Sequence, residues 1–525
     1  MKTFRVTFII TLLLMLFVSN STYAQMSSKQ IDELVEKAME KFTVAGVAVA
    51  VVKDGKIIHQ KGYGVKSIET KEAVNENTNF AIASNSKAFT TAALAILVEE
   101  GKLSWTDKVK DHIPEFTMYN AYVTENFNIQ DLLTHRSGLG LGIGDLMIFP
   151  SGADFTTSDI LSSFQHFKPQ SAFRTKFDYD NLLYMVAGEV IKRVSGQSWE
   201  SFVAERILAP LNMENSYTSL TYIKDKSNVA TPHLNVDGTL TVIEPDVFDP
   251  EKLNGAAGAI YSNVNDICNW MIMHLNKGKY GDDLEKQLFT EKNQREMWKI
   301  HTTYNSNRDP RYNSHFAGYG LGWGLSDLKG NLSVSHTGGL AGMLSETMMI
   351  PDINLGVIVL TNTYMDGAAI FSAVTQTIVD SYIGAEEFDW IAEYQKRFQK
   401  RASEADSVVT AVWETVKSAD ETHLNLQDYV GIYEDNWFGK VEISLKDNQL
   451  HFRSYRSPKL SGPMSFYKAN SFAIKWTQPY MEADAFAIFN LDEEGKAESI
   501  RMKGISPDID FSYDFQDLDL RRVEN

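Results

Sequence analysis

Apolar positions recur at helical spacing near Ser28 to Lys41, predicting an amphipathic helix at the start of the folded chain. Two strand patterns follow, Val44 to Lys53 and Lys56 to Gly62. Between them lies Asp54-Gly55, a dipeptide that favours a two-residue hairpin turn. The run Thr90-Thr91-Ala92-Ala93-Leu94-Ala95-Ile96-Leu97-Val98 is apolar nearly all round, as expected of a buried helix. Up to about residue 385, helical patterns mix with short strands and glycine-containing loops, without a regular βαβ period. That predicts an α+β fold and not a doubly wound one.

Near Glu386 to Asp420 the pattern turns helical, rich in Glu and Lys and free of Gly and Pro, which predicts a connector. From about Leu424 it becomes short alternating strands: Val441 to Leu445, a turn at Lys446-Asp447-Asn448, Leu450 to Arg453, and later Ala485 to Phe489 before Glu493-Glu494-Gly495. A small all-β unit follows, a sandwich or a barrel. The resulting division is 1–24, 25–385, 386–423 and 424–525.

Residues 1–24 read as an export leader. Lys2 and Arg5 precede an apolar run from Val6 to Val18, then a small, polar exit ending at Ala24. The run is shorter than the ~20 residues needed to span a bilayer. No later segment is apolar enough for that, so the mature chain is expected to be secreted or periplasmic, with no membrane span. Composition adds little: 525 residues, 43% apolar and 22% charged, are ordinary for a globular protein. The formal charge of −18 is spread along the chain and argues against a nucleic-acid partner. Cys268 is the only cysteine, so no internal disulfide forms; within its helical pattern it reads as a small buried hydrophobe.

Candidate chemistry centres on Ser84-Asn85-Ser86-Lys87. Ser326 with Lys329 and Ser465 with Lys468 share the Ser-x-x-Lys spacing, but only Ser84 opens a buried helix. There, positions i and i+3 share a face, setting the Lys87 amine beside the Ser84 hydroxyl. Burial lowers the pKa of such a lysine toward that of a useful base. The free N–H groups of a helix start also suit an oxyanion. A second proton carrier is expected from a Tyr-x-Asn pair. Tyr179-Asp180-Asn181, in a polar loop feeding a helix, is favoured over Tyr261-Ser262-Asn263, where Asn263 reads as a helix cap. His336-Thr337-Gly338-Gly339, at a strand end, would let a substrate backbone approach closely, with His336 and Thr337 in contact with it.

The order Ser84-x-x-Lys87, Tyr179-x-Asn181, His336-x-Gly338 resembles the penicillin-recognising serine hydrolases, in the branch of class C β-lactamases, D-aminopeptidases and related esterases. Leu132-Leu133-Thr134-His135-Arg136-Ser137-Gly138-Leu139 is similar to a loop common there, and the resemblance runs from about Ile31 to Ile383. It implies an antiparallel sheet flanked by helices, and a tail similar to the lipocalin-like β-barrel that some such peptidases append. It implies acylation of Ser84, proton transfer by Lys87 and Tyr179, and orientation of the substrate carbonyl by Asn181. It also implies an oxyanion hole from the N–H groups of Ser84 and Gly339. His336 departs from the Lys usual in β-lactamases and carboxypeptidases. A neutral imidazole suits a terminal carboxylate less well than a permanent cation.

No Gly-x-Ser-x-Gly elbow and no His-Glu-x-x-His pair competes with this reading. The histidines are scattered, so neither metal nor cofactor is expected. The expected activity is hydrolysis of an amide or ester in a small molecule or short peptide. D-amino-acid amides and small peptides come first, simple esters next and β-lactams last. Acyl transfer to an amine shares the same intermediate. A catalytically inactive penicillin-binding sensor is the reading from another class, and it would not need Ser84, Lys87 and Tyr179 together. The oligomeric state stays open, a homo-oligomer included.

Overall fold

The computed structural model describes residues 25–306, 309–419 and 424–523. The leader expected at residues 1–24 lies outside the described residues. An eight-stranded antiparallel sheet organises the first part of the chain. Its strands are β1 (Gly46–Lys53), β2 (Lys56–Gly64), β3 (Thr302–Thr303), β4 (Ala317–Tyr319), β5 (Gly324–Leu328), β6 (Asn331–Leu340), β7 (Met343–Ile350) and β8 (Leu355–Thr361). They lie side by side in the order β2-β1-β8-β7-β6-β5-β4-β3. The hairpin between β1 and β2 turns at Asp54 (φ 50°) and Gly55 (φ 73°), both left-handed, the geometry that this dipeptide accommodates best.

Side-chain alternation explains why β1 is apolar throughout. Val47, Val49 and Val51 join Val357 and Val359 of β8 on one face. There they pack against Ile31 and Val35 of helix α1 (Ser28–Lys41). Ala48, Ala50 and Val52 face the opposite side with Ile358 and Leu360, in the core that holds helix α2 (Ser86–Glu99), helix α3 (Leu182–Ser195) and helix α4 (Val264–Leu275). Both faces of the sheet are therefore covered, and α2 is apolar all round because other elements surround it. Phe89 of α2 stacks on Trp270 of α4, ring centroids 3.9 Å apart. Cys268 is fully buried in α4, and burial pushes its thiol up to about 12, so it serves as a small hydrophobe.

Helix α5 (Asp366–Ile383) completes the α1 face, and α6 (Trp390–Ser418) runs on to the second unit. This connector is docked at both ends. Trp390 Nε1 donates to Asp380 at 2.7 Å, and Trp413 Nε1 donates to Asp484 at 3.0 Å.

The second unit is a closed antiparallel barrel of β9 (Gly431–Asp435), β10 (Gly439–Lys446), β11 (Gln449–Ser454), β12 (Ser461–Lys468), β13 (Ser471–Ile474), β14 (Ala485–Leu491), β15 (Ala497–Gly504) and β16 (Leu520–Val523). Each strand pairs with the next, and β9 closes on β16. Val441, Ile443, Phe452, Ala487, Phe489 and Ile500 point inward and fill it, as a barrel of this size allows. The aromatics Tyr433, Trp437, Phe452 and Trp476 are buried, Tyr433 and Phe452 on strands and the two tryptophans in the connections just beyond strand ends. The barrel rests on the first unit: Trp437 meets Phe167 edge-on at 5.4 Å, and Arg456 clasps Asp159 with two nitrogens at 2.9 and 2.8 Å.

Phe89→Ala removes a stacked aromatic that locks α2 to α4. The expected cost is about 3–5 kcal/mol, read as a lower urea midpoint with unchanged urea dependence.

Candidate active site

Ser84 lies where the chain changes direction. Ile82 donates its N–H to Ile260 O at 2.9 Å, Ala83 takes a left-handed φ of 46°, and Ala83–Asn85 form one tight turn before α2 begins. A left-handed alanine is disfavoured by about 1 kcal/mol, so its surroundings must hold it. Ser345 Oγ donates to Ile82 O at 2.7 Å and accepts from Asn85 Nδ2 at 2.8 Å; Ser86 Oγ accepts from Ile260 N–H at 3.1 Å. Ser84 is partly exposed, whereas the residues on either side of it are buried.

Lys87, one turn further on, has no exposed surface. Its Nζ reaches Ser84 Oγ at 3.0 Å, Asn181 Oδ1 at 2.7 Å and Ala257 O at 2.8 Å. Three acceptors match the three protons of an ammonium. On losing one, the amine would present its lone pair to the only one of the three that can donate, the Ser84 hydroxyl. Burial lowers the Lys87 pKa to about 7, while Asp145 and Asp180 act to raise it. The nitrogen also sits 4.8 Å from the centre of the Tyr179 ring and 5.2 Å from that of Tyr184. The competing Ser-x-x-Lys spacings fall on strands or turns: Ser326 is in β5, Lys329 bonds Gly384 O, and Ser465 and Lys468 lie in β12, an extended barrel strand and not the start of a buried helix.

Tyr179 is held from behind by the loop after Leu133. The His135 ring stacks on it at 4.2 Å, His135 O accepts from Asp178 N–H at 2.9 Å, and His135 Nδ1 accepts from Asp180 N–H at 3.0 Å. The Tyr179 carbonyl accepts from Gly142 N–H at 2.8 Å. Tyr179 is half-buried with its hydroxyl oxygen inside the protein; burial raises its pKa well above the usual value, and the facing Ser84 hydroxyl is the influence that lowers it. The hydroxyl closes no hydrogen bond within 3.5 Å. Asp180 accepts from Leu183 N–H at 3.2 Å at the start of α3, and burial pushes its carboxyl up to about 7. Asn181 bonds Lys87 through its oxygen, and its Nδ2 donates to Asp145 Oδ2 at 2.8 Å. The alternative pair stands apart: Tyr261 belongs to a two-stranded ladder with Phe80-Ala81, and Asn263 caps α4 by accepting from Asp266 N–H at 2.9 Å.

In β6, Gly338 abuts the Ser84 turn so closely that a Cβ there would lie 2.2 Å from Ile82 O and 3.0 Å from Ser84 N. Only glycine fits. Strand β5 pairs with β6 as far as Ser335, while β7 continues through Leu340. Among the described strands, none continues the β5 side beyond Ser335, and Thr337 and Gly339 are exposed there.

His336 differs from the expected substrate contact. It is 8% exposed, its Nδ1 lies 2.5 Å from Thr337 O and its Nε2 lies 2.7 Å from the Tyr319 hydroxyl. A carbonyl can only accept, so Nδ1 carries the proton and Nε2 accepts from Tyr319. Burial, with Lys87 nearby, lowers its pKa to about 3. The ring is thus neutral, and both its nitrogens are taken up within the protein.

The motifs do not name every residue at this centre. Asp145, Tyr319 and the Ala257 carbonyl carry no local signature, and neither do Ser512 and Asp514 of the barrel. The Ser512 hydroxyl donates to Asp145 Oδ2 at 2.9 Å, and the Asp514 carboxylate accepts from Gly144 N–H at 2.7 Å and Leu146 N–H at 2.9 Å. Asp180, by contrast, lies inside the Tyr179-x-Asn181 motif. Among the described residues, no group of three or more His, Cys, Asp or Glu is arranged to hold a metal ion.

Comparison with known proteins gives this geometry a context. Residues 31–369 match the Beta-lactamase family model, and residues 416–522 match a domain of unknown function (DUF3471). An unguisins hydrolase of Aspergillus campestris is 26% identical over 415 residues, covering 76% of this chain and 74% of the fungal protein. Protein flp of Staphylococcus aureus strain N315 is 28% identical over 339 residues, 64% of this chain and 63% of its own length. The octameric penicillin-binding protein homologue from Pyrococcus abyssi shares the fold with a TM-score of 0.60 at 19% identity, covering 94% of this chain and all of its own. A penicillin-binding protein from Bacillus halodurans aligns over 65% of this chain and 98% of its own, with a TM-score of 0.53 at 20% identity. With its family model spanning most of the chain and Ser84 and Lys87 in bonding contact, this protein belongs to the Beta-lactamase family of serine hydrolases.

Proposed function

We propose that the protein forms an acyl-enzyme at Ser84 and hydrolyses amide or ester bonds, with small peptides and D-amino-acid amides as its main substrates. The observation that carries this reading is the 3.0 Å contact between the buried Lys87 amine and Ser84 Oγ.

In the first step, neutral Lys87 takes the Ser84 proton as Oγ attacks the substrate carbonyl carbon. The carbonyl π pair moves to oxygen, and the backbone N–H groups of Ser84 and Gly339 receive the resulting oxyanion. When the tetrahedral adduct collapses, the bond from carbon to the leaving nitrogen or oxygen breaks. The leaving group takes a proton from Tyr179, which Lys87 replenishes. Water then attacks the acyl-enzyme, gives up one proton through the same pair, and releases the acid with Ser84 restored. Asn181, fixed between Lys87 and Asp145, orients the substrate carbonyl.

The open edge of β6 at Thr337 and Gly339 supports a substrate with an extended backbone that pairs along the strand. The neutral, engaged His336 supports substrates without a terminal carboxylate, and so argues for amides and esters ahead of β-lactams. The fungal relative is named for hydrolysis, which agrees with this class. The basic, apolar and small-residue order of residues 1–24 supports export and, with it, a reaction outside the cytoplasm.

A fluorophosphonate is expected to add one group to the mature protein, seen by intact mass, and to add none to Ser84→Ala; equal labelling of both would remove Ser84 from the mechanism. The base must be neutral, so kcat/KM should fall as pH drops through about 7, where Lys87 becomes protonated. A rate that stays flat from pH 5 to 9 would exclude Lys87 as base. Lys87→Met is expected to lower kcat by about 10²–10⁴ while the thermal midpoint holds or rises, since a buried amine gives way to an apolar chain.

A further inference from the structure

We propose that the barrel completes the catalytic site: Ser512 is a positioning residue that, through Asp145 and Asn181, fixes the Lys87 amine beside Ser84. The inference rests on the acyl-enzyme reading above and assigns part of that machinery to the C-terminal unit.

The connection is continuous and buried. Ser512 Oγ donates to Asp145 Oδ2 at 2.9 Å; the same carboxylate oxygen accepts from Asn181 Nδ2 at 2.8 Å; Asn181 Oδ1 accepts from Lys87 Nζ at 2.7 Å. Asp145 and Asp514 are without exposure, and Ser512 and Asn181 are 7% exposed. Asp145 Oδ1 has no hydrogen-bond partner, so all the bonds that hold this carboxylate converge on Oδ2. Two donors remain, one from each unit. Without the Ser512 hydroxyl, Asn181 alone would hold this buried carboxyl, and the amide that orients Lys87 would be tied to a less fixed partner.

The barrel grips the backbone as well. Asp514 bonds the N–H groups of Gly144 and Leu146, on either side of Asp145, and so sets where that carboxyl points. Gly142 approaches Phe511 so closely that a Cβ would lie 2.5 Å from Phe511 O, and the Phe511 ring meets Tyr179 edge-on at 5.8 Å. All of these contacts come from the segment between β15 and β16. That segment carries Asp510 too, which accepts from the Tyr364 hydroxyl at 3.3 Å. A barrel that merely accompanied the sheet unit would need none of its polar groups beneath the catalytic lysine.

The test compares Ser512→Thr with Ser512→Val in the full-length protein, two side chains of one shape that differ by a hydroxyl. Fluorophosphonate inactivation is followed for kinact and KI, alongside the thermal midpoint. The Val variant is expected to lose about tenfold in kinact with KI little changed, and the Thr variant to keep most of the wild-type rate. In the cycle with Asp145→Asn, adding Ser512→Val to that variant should cost little more, because both act through one carboxylate. Equal kinact for the Thr and Val variants, or losses that multiply in the double variant, would overturn the proposal. A lowered midpoint in Val with kinact intact would do the same, by making the contact structural. Failure of the wild type to label at Ser84 would count against the acyl-enzyme itself. In that event the Asn181 side-chain amide resonance in ¹⁵N-asparagine-labelled protein decides the relay: it should shift in Val and not in Thr, and an unmoved resonance in Val refutes it.

Discussion

A lysine amine with no exposed surface imposes conditions on everything around it. An ammonium in that position has lost its water, and the protein replaces that water with Ser84 Oγ, Asn181 Oδ1 and the Ala257 carbonyl, one acceptor for each proton. Burial pulls the pKa down and the carboxyls of Asp145 and Asp180 hold it from falling further, so the two protonation states come close in energy near neutral pH. A group balanced in this way can take a proton from a hydroxyl and return it. Most of the remaining architecture keeps these partners in place.

Two features of the fold deliver that geometry. The sheet is covered on both faces, so α2 runs through the interior and carries Lys87 into it. The left-handed Ala83 lifts Ser84 out of the regular helix to a partly exposed position, while Ser345 of β7 and Ser86 of α2 brace the turn. Gly338 brings β6 against the same turn. The proposed nucleophile, the proposed base and the open strand edge therefore come from three elements that meet only because the sheet packs on α2.

The tyrosines and histidines near Lys87 form a second layer with neutral character. His135 accepts from a backbone amide, His336 accepts from Tyr319, and burial keeps both imidazoles uncharged. With that lining neutral, Asp145 and Asp180 are the groups that act to raise the Lys87 pKa, while burial raises their own, that of Asp145 well above the usual carboxylate range and that of Asp180 to about 7. Asp145 in turn accepts from Ser512, which joins the surroundings of Lys87 in one unit to the placement of the other.

Local sequence determined much of this protein. The i, i+3 spacing of Ser84 and Lys87 on an apolar helix implied their contact, since helical geometry sets side chains three apart on one face. Asp54-Gly55 fixed a hairpin through two left-handed residues, and alternation in residues 441–489 implied strands whose inward faces fill a closed space. What lay beyond the sequence was long-range pairing. The fate of His336 depended on Tyr319, 17 positions away, and the anchoring of Asn181 on Asp145, 36 positions away. The role of Ser512 depended on a contact across 367 positions. A short polar residue carries no periodicity and no spacing signal; its partner is decided only when tertiary packing excludes water and leaves one acceptor within reach.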